Sequence, residues 1–420
     1  MKVLGIIVEY NPFHNGHLYH LQKSKEISGA DYVVAVMSSN FIQRGEPAIV
    51  NKWSRAKMAL FSGVDLVLEL PVVYSMSSAE FFAYGAVRIL DSLGIVDCLC
   101  FGSESGRLDE LDEVAEILTN EPEPYRTILR RELNKGLSFP SARENALSDY
   151  LSKKNTAYCD IDMQLLMNSS NNILAIEYLK ALKKLNSAIT PLTIKRTANN
   201  YNSEQITSSI SSATSIRKHI SSEVNENCRI LQEVLPSPSL SILKEDFKLG
   251  KGPVFPQKYD RMIMSIIRSI DASKLKEYPF VSEGLENRIK QAAGSSGTFD
   301  ELVEGISTRR YTRTRIQRIL FSILINIKKD DFSAFNHYGG PQYVRVLGFN
   351  NKGRKILSQV NRCGCLPVIV KTANFKNQCN PLFRRMMEIE SLATDIYVLG
   401  YDNPEFRNSG QEYTSNVIVL

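Results

Sequence analysis

Apolar and polar positions alternate in blocks through the first half of the chain. Four short runs rich in Val, Ile and Leu favour buried strands. They lie at residues 3–8, 31–37, 64–70 and 96–101. Two longer segments between them, 51–62 and 77–93, have the spacing of helices. Strands that alternate with helices predict a parallel sheet, whose ligands bind at the carboxyl ends of the strands.

The later part of the first half departs from this alternation. Residues 105–165 carry the acidic, amphipathic pattern of helices, which predicts a helical insertion. A strong helical pattern over 173–182 and a last strand over 190–196 follow it. Residues 1–220 are therefore predicted to be a Rossmann-like parallel-sheet α/β domain.

The first apolar run leads into a polar turn that opens a helix. Pro12 favours an extended residue before it, and residues 18–25 are compatible with a helix. The first backbone N–H groups of a helix are unpaired and its dipole favours negative charge, so phosphate binds well at such a junction. Gly16 lets a nucleotide approach the backbone closely.

Three of the five histidines of the chain, His14, His17 and His20, lie in or just after this turn. His14 and His17 are three residues apart at a helix start and can share one face. An imidazole donates a hydrogen bond to a phosphoryl oxygen as charge builds on it, so we predict that they stabilise phosphoryl transfer. A metal site is the alternative, but no Cys, Asp or Glu with ligand spacing accompanies them.

Charge divides unevenly between the halves of this 420-residue chain, whose net charge is +6. Residues 1–220 hold 23 Lys and Arg against 24 Asp and Glu, whereas residues 221–420 hold 28 against 21. A basic second half suits a polyanion, and RNA is favoured over a membrane because no long basic amphipathic tail occurs. No apolar run approaches the roughly 18 residues of a membrane span, so we expect a cytoplasmic protein.

Residues 221–420 are predicted to form a mainly helical basic domain after a connector that contains four prolines. Within it, five arginines crowd the start of a predicted helix, and we expect them to contact RNA: Arg309, Arg310, Arg313, Arg315 and Arg318. The helix dipole disfavours cations there by about 0.3–1 kcal/mol each, so helix stability does not explain them. Salt bridges to nearby acids are the alternative. The apolar positions of the same helix are predicted to be core: Ile316, Ile319, Leu320, Ile323, Leu324 and Ile327.

Two smaller expectations concern the strand signals and the cysteines. Residues 343–370 are predicted to form a strand–helix–strand unit that exposes four cations: Arg345, Lys352, Arg354 and Lys355. Cys98 and Cys100 are expected to be buried on one face of a strand. The remaining candidate metal set, Cys363, Cys365 and Cys379, lacks a fourth ligand, so no metal site is predicted.

The His14–Asn15–Gly16–His17 segment resembles the signature of the nucleotidyltransferase superfamily. The longer string from Glu9 to His17 resembles one branch more closely, the bacterial tRNA(Met) cytidine acetate ligases. Five further segments agree with that branch: 40–48, 52–56, 101–104, 171–174 and 212–217. The likeness spans the first half of the chain and, more loosely, the rest.

This resemblance implies an ATP site at the first turn and at the ends of later strands. Its expected residues are Val8, Glu9, Tyr10, Asn11, Pro12, Phe13, His14, Asn15, Gly16, His17, His20, Gly102, Asn171, Asn172, Arg196, Ser212, Thr214 and Arg217. The catalytic residues would be His14, His17 and Arg217, with Mg²⁺ on the triphosphate and no metal ligand from the protein. Ordinary roles stay open for some of them. The alternative for Asn171 or Asn172 is an ordinary N-cap, and the alternative for the 212–217 segment is a low-complexity serine linker.

The resemblance also implies the reaction. Acetate would attack the α-phosphorus of ATP to give acetyl-adenylate, and the acetyl group would pass to the wobble cytidine of elongator tRNA(Met). A polar loop at 38–47 offers candidates for binding acetate, namely Gln43 and Arg44, with Lys52 in the next helix. An enzyme that adenylates a small molecule and a non-catalytic RNA-binding protein are the alternatives.

Overall fold

The computed structural model describes residues 1–154, 162–196, 211–222, 228–282, 284–373, 375 and 378–420. Cys159 and most of the serine-rich stretch between Arg196 and Ser212 lie outside the described residues.

Strands from both halves of the chain contribute to the structure. In chain order they are β1 (Val3–Val8), β2 (Tyr32–Ser38), β3 (Phe41–Ile42), β4 (Glu46–Pro47), β5 (Leu66–Leu70), β6 (Cys98–Ser103), β7 (Thr190–Lys195), β8 (Val344–Phe349), β9 (Val368–Ile369) and β10 (Ile418–Val419). All but β3 and β4 belong to one sheet, and those two form a small antiparallel pair.

Helices cover both faces of the sheet and make up most of the second half. Those before β8 are α1 (Asn15–Ser28), α2 (Lys52–Phe61), α3 (Val72–Ser75), α4 (Ala79–Ser92), α5 (Leu108–Asn120), α6 (Glu123–Asn134), α7 (Phe139–Lys154), α8 (Met163–Asn168), α9 (Ser170–Lys184), α10 (Ala213–Ser222), α11 (Cys228–Val234), α12 (Ser237–Lys248), α13 (Asp260–Ser269), α14 (Ala272–Leu275), α15 (Leu285–Ser295), α16 (Phe299–Ile306), α17 (Arg313–Ile325) and α18 (Lys329–His337). The remaining helices are α19 (Asn351–Cys363), α20 (Pro381–Val398) and α21 (Gln411–Thr414). None of the helices in the described residues is both long and apolar enough to cross a bilayer.

The parallel sheet predicted for the first half is confirmed. Its strands run in the order β5-β2-β1-β6-β7 and every neighbouring pair is parallel. The chain builds outward from β1 to β5, then returns and builds outward on the other side through β6. The switch between the two directions lies between β1 and β6, where sheets of this kind bind ligands. Helices α5 to α8 form the predicted insertion between β6 and β7.

The described part of residues 221–420 is mainly helical, as predicted, and it also adds strands to the same sheet. Strand β8 pairs antiparallel with β5, and β9 and β10 pair parallel with β8. The predicted strand–helix–strand unit is therefore β8, α19 and β9. A domain boundary near residue 220 stays a prediction.

The predicted exposure of Arg345 is wrong. Its side chain is 1% exposed, and its guanidinium donates to the carbonyl of Val370 at 2.9 Å. The pattern at 343–370 suggested a surface unit, but β8 lies against β5 within the larger sheet. Burial of a paired arginine cannot be read from local hydropathy.

The arginine-rich helix begins later than its arginines suggested. Helix α17 starts at Arg313, so Arg309 and Arg310 precede it. The six apolar positions predicted as core are all buried. Cys98 and Cys100 are buried in β6, also as predicted.

A buried cluster of charges joins the two halves of the chain. Lys52 Nζ lies 2.5 Å from Glu69 Oε1, 3.1 Å from Glu390 Oε1 and 2.6 Å from Glu412 Oε2, and all four side chains are fully buried. Burial alone would lower the pKa of Lys52, but the carboxylates raise it above its usual range. Burial, reinforced by Glu390, raises the pKa of Glu69 well above its ordinary value. Lys52 faces all three carboxyl groups, and the Nε atom of Arg345 lies 3.6 Å from Glu412 Oε1.

Replacement of Lys52 by Met should destabilise the protein strongly. The variant keeps the length of the side chain but leaves carboxylates buried without their cation, which costs about 3–5 kcal/mol in comparable buried pairs. Urea unfolding measures this free energy. The control is Lys57→Met on the same helix, because the Lys57 side chain is 40% exposed and its carboxylate partner lies 4.0 Å away. A Lys52→Met protein as stable as the control would contradict this account.

Candidate active site

One pocket lies at the carboxyl ends of β1, β6 and β7, at the switch between β1 and β6. This is the edge at which the sequence analysis expected the functional site. Many of the expected ATP-site residues line it: Val8, Glu9, Tyr10, Asn11, His14, Gly16, His17, His20, Gly102, Asn171, Arg196 and Ser212. Gln43, expected at the acetate site, lines it too. The others, Pro12, Phe13, Asn15, Asn172, Thr214 and Arg217, lie outside its wall.

The two motif histidines cap the helix that follows β1. His14 is the N-cap of α1, and its Nδ1 accepts the N–H of Gly16 at 3.0 Å. His17 Nδ1 accepts the N–H of His14 at 3.3 Å, and the two ring centroids lie 3.8 Å apart. Because each Nδ1 is an acceptor, each neutral ring carries its proton on Nε2. The Nε2–H group of His14 is a donor for a ligand, whereas His17 also has a hydrogen bond with the Pro12 backbone.

Burial keeps these histidines neutral. It lowers the pKa of His14 to about 3, with Arg196 and Arg217 acting in the same direction. Burial likewise lowers the pKa of His17 well below its ordinary value and that of His20 to about 4. The Nε2 atom of His20 is buried and has no hydrogen-bond partner among the described residues. At neutral pH the imidazoles are therefore polar donors, not cations.

Residues of the motif that lie outside the pocket hold the turn in place. Phe13 is fully buried, 4.5 Å from the ring of Tyr10, and Tyr10 in turn lies 5.0 Å from His17. Asn15 Nδ2 donates to the carbonyl of Glu233 in α11 at 2.8 Å. The motif thus contains both pocket residues and supports.

The two asparagines at the start of α9 have different roles. Asn171 lines the pocket, and its Oδ1 lies 3.4 Å from Arg196 NH1. Asn172 is fully buried, and its Oδ1 accepts the N–H of Glu104 at 2.9 Å. The Glu104 carboxylate accepts from Asn171 Nδ2 at 2.7 Å and from the N–H of Asn172 at 2.8 Å. Asn172 and Glu104 therefore shape the loop, a role that the sequence analysis did not assign to Glu104.

The late helix α10 directs its N-terminus at the pocket. Ser212 precedes the helix, and its Oγ accepts the N–H of Ser215 at 3.1 Å. Arg217 NH1 donates to the carbonyl of Asn11 at 3.0 Å, and NH2 lies 3.0 Å from Glu46 Oε1. Arg217 thus sits beside the histidine turn without lining the pocket wall. Thr214 is half-buried one turn away.

The segment between β2 and α2 contributes Gln43 to the pocket wall. The N–H of Gln43 donates to Glu9 Oε1 at 2.9 Å, while the Gln43 carbonyl accepts from Arg318 NH1 at 3.1 Å. Gly45 has a φ of +74°, and a Cβ there would lie 2.3 Å from the Arg318 backbone nitrogen. Only glycine lets this loop pack against α17.

The three acetate candidates lie in different places. Gln43 lines the pocket, and the charge of Arg44 acts on Glu9 at its edge. Lys52 is not brought to the pocket, because its ammonium is held in the buried cluster with Glu69, Glu390 and Glu412.

The five arginines near α17 divide into three groups. Arg309 and Arg310 are exposed. Arg313 pairs with Asp300, and Arg315 NH2 donates to a backbone carbonyl at 3.1 Å. Arg318 reaches inward to Gln43, and burial lowers the pKa of its guanidinium to about 10.

An apolar wall of the pocket was missed by the sequence analysis. Phe101 and Ile194 lie near the ends of β6 and β7, and Leu174 and Tyr178 lie one turn apart on α9. The i, i+4 spacing of the last two was a visible signal of a shared face. Such a surface suits a base or other flat ring.

The described residues contain no cluster of three or more His, Cys, Asp or Glu side chains arranged to bind a metal. Cys363, Cys365 and Cys379 are free and exposed.

Comparisons with known proteins show the family of the chain. Residues 1–412 match the model of the HIGH Nucleotidyl Transferase family. The chain is 55% identical over 421 residues to the tRNA(Met) cytidine acetate ligase of Acetivibrio thermocellus, covering all of both chains. It is 47% identical over 420 residues to the enzyme of that name from Thermoanaerobacter sp. strain X514, again over the full length of both.

Solved structures show the same relationship. The chain matches Thermotoga maritima TmcAL bound with alpha-thio ATP with a TM-score of 0.92 and 37% identity, over 100% of each chain. The apo form of TmcAL gives a TM-score of 0.94 and 38% identity with the same coverage. The chain therefore belongs to the HIGH nucleotidyl transferase family and, within it, to the tRNA(Met) cytidine acetate ligase family.

Proposed function

We propose that this protein activates acetate with ATP and transfers the acetyl group to N4 of the wobble cytidine of elongator tRNA(Met), giving N4-acetylcytidine. The observation that carries the proposal is the full-length identity of 55% to a ligase of that name, in a chain that retains the paired histidines at a pocket. The activity is that of an acid-activating ligase in the cytoplasm, where ATP and tRNA are both available.

The first step is attack of an acetate oxygen on the α-phosphorus of ATP. The neutral Nε2–H groups of His14 and His17 support a role in stabilising charge on the α-phosphoryl group. The amide groups at the start of α10 and the guanidinium of Arg217 suit the leaving pyrophosphate. Arg217 must exchange its bond to Glu46 for the phosphate, which the shared hydrogen-bonding geometry of carboxylate and phosphate allows.

Few protein groups are proposed to contact acetate and Mg²⁺. Gln43 and Arg44 are the candidates for holding acetate near the α-phosphate. Mg²⁺ would neutralise the triphosphate, binding its oxygens and water, since the described residues contain no clustered metal ligands.

Binding of tRNA is proposed for the surface that precedes and begins α17. Arg309 and Arg310 are exposed there, and Arg313 is 47% exposed, bound to Asp300. The same helix contacts the loop over the pocket through Arg318. An anticodon loop held on this surface can present an unstacked cytosine to the pocket.

Incubation with ATP, isotopically labelled acetate and unmodified tRNA should produce labelled N4-acetylcytidine, detected by mass spectrometry of digested nucleosides. A reaction without tRNA controls for acetyl-adenylate carried through the digestion. Release of pyrophosphate with some other small acid, without acetylcytidine, would favour an enzyme that adenylates a small molecule.

Replacement of His14 or His17 by Ala should lower kcat for acetate-dependent pyrophosphate exchange by about 10²–10³-fold, because one preorganised donor is lost. His337→Ala, a change of an exposed histidine in α18, is the matched control.

The pH profile of the exchange should show no ionisation of His14 between pH 6 and 8. Burial places its pKa at about 3, so the ring is already neutral and gains a proton only well below that range. A break near pH 6.5 that disappears in His14→Ala would contradict this assignment.

The double variant Arg309→Ala/Arg310→Ala should weaken tRNA binding. The slope of the logarithm of the binding constant against the logarithm of the salt concentration should become shallower by about one unit for each lost phosphate contact. Binding measured across a salt series tests this. Arg126→Ala/Arg130→Ala removes two exposed arginines from α6 and controls for net charge. An equal effect of both double variants would argue against a site at α17.

A further inference from the structure

We propose that Glu9 is the general base of the acetyl-transfer step and accepts the proton that cytosine N4 loses. This inference rests on the proposed function, and it assigns to Glu9 a catalytic role that the resemblance to the family did not supply.

Glu9 is the acidic residue that lines the pocket in the described part of the chain. It follows β1 directly and is half-buried. Its Oε1 accepts the N–H of Gln43 at 2.9 Å, so the carboxylate is tied to the loop that carries Gln43. Two nearby carboxylates are engaged elsewhere, since Glu46 binds Arg217 and Glu104 binds the start of α9.

The histidines of the pocket are poorer acceptors for a proton. His14 and His17 use Nδ1 to accept backbone N–H groups and carry their proton on Nε2. His20 has a buried Nε2 without a partner among the described residues, but burial lowers the pKa of its ring to about 4. Burial has the opposite effect on a carboxyl group and raises the pKa of Glu9 above its ordinary value. The same environment therefore weakens imidazole bases and strengthens this one.

Other ionisable groups around Glu9 also affect its pKa. They come from several elements: Arg44 and Glu46 from the loop, Arg55 from α2, Tyr178 from α9 and Arg217 from α10. The Gln43 N–H, Arg44 and Arg217 lower the pKa of Glu9, while Glu46 raises it. These cations also reduce the repulsion between Glu9 and an incoming acetate ion.

The step needs a base because the exocyclic amine of cytosine is a weak nucleophile whose lone pair is delocalised into the ring. N4 forms a bond to the acetyl carbonyl carbon, the bond from that carbon to the phosphate oxygen breaks, and AMP leaves with the electron pair. One N4 proton passes to the Glu9 carboxylate and from there to water after the product leaves. No oxidant, reductant or further reactant is required.

Arg318 is a positioning residue in this scheme. The Arg318 guanidinium donates to the Gln43 carbonyl, and the backbone N–H of Gln43 donates to Glu9. The helix proposed to receive tRNA is thus joined to the proposed base through a single residue of the loop.

The test separates the two half-reactions. Glu9→Gln keeps an oxygen that accepts the Gln43 N–H but removes the base. Single-turnover transfer from preformed acetyl-adenylate to tRNA should fall by about 10²–10⁴-fold. Acetate-dependent ATP–pyrophosphate exchange needs no base, so the factor by which its rate falls should be at least ten times smaller than the factor lost in transfer. The remaining exchange activity also reports that the pocket is folded. Glu26→Gln, a change of an exposed glutamate on α1, is the matched control.

The pH dependence gives a second measure. Wild-type transfer should slow as the pH falls through the pKa of the base, because the protonated carboxyl cannot accept a proton. Glu9→Asp should retain this dependence at a lower rate, and Glu9→Gln should lose it. Equal losses in exchange and transfer, or unimpaired transfer, would overturn the assignment of Glu9. Wild-type protein that transfers no acetyl group to tRNA would overturn the proposed function itself, whatever the variants do.

Discussion

The buried ammonium of Lys52 is the constraint on which the two halves of the molecule depend. Carboxylates from β5, α20 and α21 converge on it, and none of these side chains reaches water. The cluster also holds the loop after β2, since Ser39 Oγ donates to Glu390 and Asn40 Oδ1 accepts the N–H of Lys52. A charge outside the pocket wall thus helps to fix where the loop that carries Gln43 begins. Such buried ions are costly to desolvate, and here they fix one arrangement of β5, α20, α21 and the loop after β2.

The loop held in this way connects groups with different tasks. Neutral histidines and the residues at the start of α10 line the pocket. Glu9 lines the same pocket and accepts a hydrogen bond from the loop. Formation of acetyl-adenylate concentrates negative charge, whereas transfer to cytosine releases a proton. Burial has opposite effects on the two kinds of group in this cavity, because it removes positive charge from imidazole and makes a carboxylate more basic.

Local features of the sequence predicted much of this arrangement. The strands at 3–8 and 96–101 and the helix opened by His14 follow from short-range patterns, and the structure contains them. The late helix after Ser212 was expected only from the family resemblance. The destinations of Lys52 and Arg345 did not follow. Each is a polar residue with no local sign of burial, and each is paired with a carboxylate distant in sequence. The joining of β8 to β5 was missed for the same reason, since pairing between remote strands leaves no mark in either strand alone.

The arginines near α17 show why a charge count needs a structure. The excess in residues 221–420 suggested a surface for RNA, and Arg309 and Arg310 fit that expectation by their exposure. Arg318, five positions into α17, faces inward and binds the Gln43 carbonyl. A helix that bears cations at its start is unfavourable by itself. Here the backbone of α17 at Gln317 and Arg318 packs on Gly45 of the loop that carries Gln43. The same helix therefore contributes both to the packing of the interior and to the surface.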